Sequence, residues 1–475
     1  MIFTSYTYLL FLGGAFLLYW SIPRAWRNAF LVGMSYAFYC SWRWQYGVLL
    51  LGVTAFTYLY GAFLAKRAEP RRWLMLGVAI ELTPLLFFKY LPFFVENLNG
   101  VGGLVGLPVS LRLPEIILPL GISFFTFQGI AYLVDLASGA EPIRKPLDFV
   151  LYKALWPQLI AGPIIRPDEI REQLEADRAI DYADVAEGAK RIVNGFFKKA
   201  VLADTLAPYV DGVFAAQAAP GFVDTIAGMV GFGLQIYFDF SGYSDIAIGS
   251  ARLFGFRFPE NFALPYASRS FQQFWGRWHM SLSRWIRDYV FTPMLFASRH
   301  RPRLAALWLV TAMAACGFWH GARWTFIVWG IIHGLLLVLN QSLLRGFFAR
   351  AERAGRASFV GIAAWVLVMF AVAVAWLFFR AQSLDQAAAM LSALVHFRGG
   401  FAPMVLRENG LLVIAAIFLA LLGYQVLTAP ALVVKRWAAR APRLLQPLTG
   451  AYYCLVVMAT IVLESNTKAF VYFQF

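Results

Sequence analysis

Long apolar runs separated by short basic links recur along this chain. A bilayer core about 30 Å thick needs roughly 20 residues of helix. Parsing by that length gives candidate spans at Tyr6–Ile22, Phe30–Trp44, Tyr46–Ala65, Trp73–Phe94, Phe222–Phe240, Leu304–Phe318, Trp324–Leu344, Phe359–Phe379, Leu411–Thr428 and Leu448–Leu463. The middle of the chain does not parse so cleanly. Pro114–Ala137 and Val150–Ile165 are apolar but interrupted by Pro119, Gly121, Gly129, Pro157, Gly162 and Pro163, which predicts re-entrant or half-crossing pieces. Irregular backbone at membrane depth is tolerated only where protein or a water-filled cavity satisfies its polar groups, so a central cavity is expected. Arg166–Asp184 is the most polar stretch. After it, Gly188–Ala200 sets Lys190, Arg191, Lys198 and Lys199 around Ile192, Val193, Phe196 and Phe197, the pattern of an interfacial helix.

The expected fold is therefore an all-α polytopic membrane protein of about ten or more transmembrane helices, with re-entrant and interfacial helices around the cavity. A single membrane domain over residues 1–475 is expected, with N-terminal spans in 1–98, a core of broken helices in 114–344 and further spans in 357–475. No internal repeat is visible, which weakens the case for an inverted-repeat transporter. Tyr6–Trp20 lacks the basic flank and cleavage site of a signal peptide and reads as a retained first helix.

Composition agrees with lipid as a major solvent: 60% of residues are hydrophobic and 14% charged, too few charges to cover a water-soluble globule. The net charge of +15 does not point to nucleic acid, because Lys and Arg are spread over short links rather than gathered in a patch. Arg24 with Arg27, the cluster from Lys66 to Arg72, Arg299–Arg303, Arg345–Arg356 and Lys435–Arg443 agree if each link is cytoplasmic, which turns both termini outward. Cys40, Cys316 and Cys454 fall in apolar stretches without paired-ligand spacing, so they read as small buried residues and no metal site is expected.

Three segments carry polar side chains that apolar surroundings make costly. In Phe271–Pro293, Phe271, Trp275, Trp278, Leu282, Trp285 and Tyr289 form one stripe, Arg277, Ser281, Arg284 and Asp288 another, with His279 between them. An aromatic anchor with snorkelling arginines would explain the stripes alone. In Ala314–His333, His320 and His333 sit in runs nearly free of ionisable groups. Such a histidine either hydrogen-bonds a neighbouring helix or has a task, and His320 is the natural general-base candidate for a hydroxyl attacking a thioester. Gly317 and Gly321 bracket it and permit close approach of backbone or substrate. Cys316, one turn earlier, is either a small buried thiol or half of a nucleophile and base pair. In Leu234–Gly249, Asp239 and Asp245 need donors; they could orient a histidine, bind a sugar hydroxyl or link helices structurally.

Taken together, PLGISFFTFQGIAYLVD (Pro119–Asp135), FVLYKALWPQLIAGPIIR (Phe149–Arg166), YFDFSGYSDIAIGSARLFGFRFPENFALPY (Tyr237–Tyr266), FWGRWHMSLSRWIRDYVFTP (Phe274–Pro293) and GFWHGARWTFIVWGIIHG (Gly317–Gly334) resemble the membrane-bound O-acyltransferase superfamily, in its bacterial alginate O-acetylation branch. The resemblance implies that His320, in FWHG, is the catalytic histidine and His279, in RWH-x-SLS, a second required one. His333 matches a recurring HG position. Asn261, Arg284 and Asp288 match motif positions as site scaffold, and Trp278, Asp239 and Asp245 join them as candidates for scaffold or substrate binding.

It also implies an acyltransferase of the bacterial inner membrane that passes an acetyl group from a cytoplasmic thioester, with acetyl-CoA the expected donor and no resident cofactor. Periplasmic acetyltransferase-type partner proteins would complete delivery to a polysaccharide. The alternatives are D-alanyl transfer to teichoic acid from a carrier protein, or a polysaccharide or lipid transporter using the same cavity.

Overall fold

A computed structural model describes residues 3–106, 111–160, 162–215, 220–298, 301–344, 346, 357–398, 454, 457 and 458. Helices and their connections make up the described residues, in two compact units. The first comprises Met1–Ala189, Ala247–Glu260 and Gly321–Arg323, the second the remainder.

The first unit opens with α1 (Tyr6–Ser21), whose first turn is capped by the Ser5 hydroxyl accepting from the Tyr8 N–H at 3.2 Å. It continues with α2 (Arg27–Cys40), α3 (Trp44–Ala65) and α4 (Pro70–Leu104). Pro84 lies inside α4, and the helix runs on through a π-turn at Leu86–Tyr90, where the Leu91 N–H reaches back to the Leu86 carbonyl. Next come α5 (Ile122–Ala137), α6 (Pro146–Ala154), α7 (Trp156–Leu159) and α8 (Pro167–Glu175).

The expected breaks at Pro119, Gly121, Pro157 and Pro163 are present, since the chain around each is non-helical or opens a short helix. Gly121 takes φ +73° and lies so close to the Leu159 carbonyl that a Cβ would strike it. Protein satisfies several of the freed carbonyls. Tyr39 donates to Leu120 O and Tyr46 to Ile117 O, each at 2.7 Å, while Tyr152 reaches Ile165 O at 3.4 Å.

The break expected at Gly129 does not occur. α5 passes through it without interruption, and the glycine instead makes room for an ion pair, because a Cβ there would overlap the Glu81 carboxylate. Lys153 Nζ lies 3.1 Å from Glu81 Oε1 and donates to Phe125 O at 2.6 Å; the Thr57 hydroxyl donates to Glu81 Oε2 at 3.0 Å. Both charged side chains are fully buried. Each is compensated locally, the condition under which buried charge is tolerated.

Next in the chain are α9 (Tyr182–Phe196), a π-turn at Phe197–Ala203, α10 (Asp204–Ala215) and α11 (Phe222–Leu253). The hydropathy parse ends α11 at Phe240, but the helix continues for 32 residues. In the second unit, three of the four basic residues expected on an interfacial helix pair with the α11 aspartates instead. Lys199 sits 2.6 Å from Asp239 and 2.7 Å from Asp204, while Arg191 and Lys198 sit 2.9 and 2.6 Å from Asp245. Gly195 and Gly242 lie each against the other's carbonyl, bringing the two backbones close enough for those pairs.

Three short helices follow: α12 (Phe271–Trp275), α13 (Met280–Ile286) and α14 (Thr292–Ala297). Beyond them lie α15 (Ala305–His320), α16 (Trp324–Leu339), α17 (Ala357–Arg380) and α18 (Leu384–Val395). The parse does not anticipate α18, which Ser383 caps by accepting from the Gln386 N–H at 3.1 Å.

Among the described residues, Trp44–Ala65, Pro70–Leu104, Trp324–Leu344 and Val360–Arg380 are long and apolar enough to cross a membrane. Tyr6–Ser21, Ile122–Ala137, Ala305–His320 and Leu384–Val395 are shorter apolar helices. Leu411–Thr428 and all but three residues of Leu448–Leu463 lie outside the described residues. Cys316 is buried as expected, whereas Cys40 is half-buried and Cys454 exposed.

Candidate active site

α15 and α16 form a tight hairpin whose seam is made by glycine. Gly317 lies against the Phe326 carbonyl, Gly330 against the Met313 carbonyl and Gly334 against Val310 Cα, so the backbones touch where side chains would ordinarily stand. The close approach expected at Gly317 is therefore to backbone. This seam fixes His320, the last residue of α15, beside Trp329 of α16.

His320 is 4% exposed, while His279 and His333 are fully buried. The His320 ring meets Trp319 at 4.8 Å, Trp329 at 5.2 Å and Phe379 of α17 at 5.2 Å between centroids, all edge to face. Its centroid lies 6.4 Å from that of His279. A hydroxyl oxygen hydrogen-bonded to a ring nitrogen stands about 4 Å from that ring's centroid. Twice that distance exceeds the observed separation, so the spacing of the two rings admits one hydroxyl between them.

His279 is held there by strained backbone. Its φ of +41° puts a non-glycine residue in the left-handed region, at a cost on the order of 1–3 kcal/mol that the surroundings must offset. Asn261 supplies much of that restraint. Its carbonyl accepts from the Met280 N–H at 2.9 Å, and its side-chain oxygen accepts from the Ser281 N–H at 3.3 Å and the Ser281 hydroxyl at 2.9 Å. Its amide nitrogen in turn donates to Ser244 of α11 at 3.2 Å. The Phe240 ring closes over His279, edge to face at 4.6 Å.

Trp278 is buried in an aromatic stack with Phe274 at 5.7 Å and Trp376 at 4.9 Å. His333 accepts from the Trp275 indole at Nδ1, 3.3 Å away, and packs 4.8 Å from Trp329. These residues gather with His279 and His320 in one aromatic cluster. Asp288 instead forms a two-point ion pair with Arg287 at 2.6 and 3.1 Å, and Arg284 is half-buried on α13. Asp239 and Asp245 are held by the cations described above, which makes them anchors of α11. Sequence reasoning misses Trp329, Trp376 and Phe379, and reads Lys199 as part of an interfacial helix rather than as the partner of Asp239. The signal for Lys199 is an ammonium beside the apolar run Ala200–Ala203, a place that demands a carboxylate; the three aromatic residues resemble ordinary span composition.

Residues 137–380 match MBOAT, the membrane-bound O-acyltransferase family. The chain belongs to that family: it is a multi-pass membrane protein and an acyltransferase enzyme. Its relatives include a probable alginate O-acetylase AlgI of Azotobacter vinelandii, 39% identical over 84% of this chain and 78% of that protein. Another is the probable alginate O-acetylase AlgI of Pseudomonas aeruginosa, 38% identical over 90% of this chain and 82% of its own length. A peptidoglycan O-acetyltransferase of Helicobacter pylori is 34% identical over 79% and 74%.

Proposed function

We propose that this enzyme moves an acetyl group from a cytoplasmic thioester, acetyl-CoA, across the bacterial inner membrane for O-acetylation of an exopolysaccharide such as alginate. Periplasmic acetyltransferase-type partners complete delivery. The activities named for the relatives, alginate and peptidoglycan O-acetylation, support the acetyl group and the acceptor class. The observation that carries the chemistry is the pair of buried imidazoles whose centroids lie 6.4 Å apart.

The acceptor hydroxyl binds between His279 and His320. His320 takes its proton as the oxygen attacks the thioester carbonyl carbon. The new carbon–oxygen bond forms, the carbon–sulfur bond breaks, and the proton on His320 passes to the departing thiolate. His279 orients the hydroxyl, and Asn261 orients His279. Asp239 and Asp245 act at a distance by fixing α11, which supplies Ser244 and Phe240.

The test is acetyl transfer from labelled acetyl-CoA by the purified His320→Ala variant. A folded, membrane-inserted protein with transfer below about one hundredth of wild type is expected, the scale of losing a positioned proton acceptor. Near-normal transfer by that variant refutes the reading. Transfer only from an acylated carrier protein would assign the donor differently.

A further inference from the structure

The hydrogen bond from Trp275 to His333 settles where the His333 proton lies. An indole nitrogen can only donate. Nδ1 of His333, 3.3 Å from Trp275 Nε1, is therefore the acceptor, and the ring is the neutral form carrying its hydrogen on Nε2. That Nε2–H is fully buried and makes no hydrogen bond to any described residue. The indole N–H of Trp329, equally buried, is in the same condition.

Trp329 and His333 stand four residues apart on α16, so they share one face of the helix. Their rings pack 4.8 Å apart, and the Trp329 ring lies 5.2 Å from His320. Two idle donors thus sit on one surface that reaches the general base through a single ring. A buried donor left without an acceptor costs about 1–3 kcal/mol, and a purely structural cluster would avoid two of them side by side. What they lack is an oxygen.

We infer that His333 Nε2–H and Trp329 Nε1–H receive the acyl carbonyl oxygen and stabilise the negative charge it gains as the hydroxyl attacks. This rests on the acetyl-transfer reading above. In that step the carbonyl π electrons move onto oxygen as the new bond forms at carbon; both donors keep their protons. When the carbon–sulfur bond breaks, the electrons return and the oxygen leaves as an ester carbonyl. Trp275, by occupying Nδ1, is a positioning residue that keeps the proton on the correct nitrogen.

The experiment uses the purified full chain with labelled acetyl-CoA and measures kcat and KM separately. Removing a single oxyanion donor costs on the order of 10²–10³ in kcat. His333→Phe is expected to lower kcat by about 100-fold with KM for acetyl-CoA unchanged within about twofold. His333→Gln, whose amide nitrogen falls near the Nε2 position and can donate, is expected to recover about tenfold of that loss.

A rise in KM with kcat unmoved overturns the inference, because the group would then hold only the ground state. Unchanged kcat in His333→Phe, with His320→Ala inactive, overturns it while leaving the acyl-transfer reading in place. Wild-type protein inert towards acetyl-CoA overturns both. A further measurement needs no variant for its readout: nitrogen NMR of the resting wild-type protein, with the His333 signals assigned by their loss in His333→Gln. Hydrogen on Nε2 and a bare Nδ1 are expected. Hydrogen on Nδ1 overturns the inference.

Discussion

Replacing Gly317 by alanine places one methyl group in the seam between α15 and α16, three residues before His320. The added Cβ would overlap the Phe326 carbonyl oxygen and stand 3.0 Å from its carbon and 3.1 Å from the Gly330 nitrogen. All of these are backbone atoms, so no side chain can turn aside. Restoring an ordinary carbon–oxygen contact requires the helices to part by about 1 Å, and overpacking of this kind typically costs about 1–3 kcal/mol. A displacement near 1 Å at a catalytic group costs about 100-fold in rate. The expected result is thus a protein that still inserts, melts at lower temperature and transfers acetyl about 100-fold more slowly. The assay pairs labelled-acetyl transfer with thermal unfolding in detergent. Gly212→Ala on α10 is the control, since a Cβ there meets nothing within 4 Å, and it should leave both readouts near wild type. Wild-type transfer and melting by Gly317→Ala would refute the claim that glycine sets the position of His320.

Cys316→Ser is expected to retain transfer within about threefold of wild type, because direct proton abstraction by His320 needs no thiol nucleophile; trapping an acetyl group on Cys316 would refute this. Lys199→Met should cost about 3–5 kcal/mol by removing the ammonium that lies between Asp239 and Asp204, and Lys199→Met with Asp239→Asn should recover part of that loss in denaturation assays. Asp184 accepts from Arg252 and Arg257, each at 2.9 Å. Its modest burial pushes its carboxyl up, but the hydrogen bonds and charges of the two arginines outweigh this and hold it below the ordinary range. A lowered native value stabilises the fold above the unfolded value near 4 and loses that benefit as pH falls through the native one. Wild type should therefore exceed Asp184→Asn by up to about 1 kcal/mol at neutral pH, with the gap closing below about pH 4 in melting experiments.

What the sequence conveys divides by range. Trp324–Leu344 is legible to the residue, because a run of apolar side chains bounded by polar ones is a local signal. The end of α11 is not. Asp239, Ser241, Ser244 and Asp245 look like the polar rim of a span, yet the helix continues because Lys199, Lys198, Arg191 and Asn261 arrive from elsewhere to meet them. Gly129 misleads for the same reason: a glycine in an apolar run reads as a breaker until Glu81 and Lys153, both distant in the chain, are seen to need its space. His279 and His320 are noticed as costly residues in apolar surroundings. Their meeting depends on a left-handed residue and a glycine seam, features that periodicity does not register. Asp288 shows the converse, a residue singled out by motif that pairs with its own neighbour.

The Glu81 and Lys153 pair carries a consequence for how the protein is made. The two residues are 72 positions apart, so the ribosome delivers the acid to the insertion machinery well before the base exists. An acidic side chain at the centre of an inserting helix costs up to about 3 kcal/mol. Thr57 of α3 is already present and donates to the same carboxyl, which gives the nascent α3 and α4 hairpin an interim partner. Completion waits for α6 to bring the ammonium and for α5 to offer the gap at Gly129. Substitution of Lys153 should then act on the yield of inserted protein during synthesis, leaving a quality-control signature in cells that a melting curve of the purified survivor would never record.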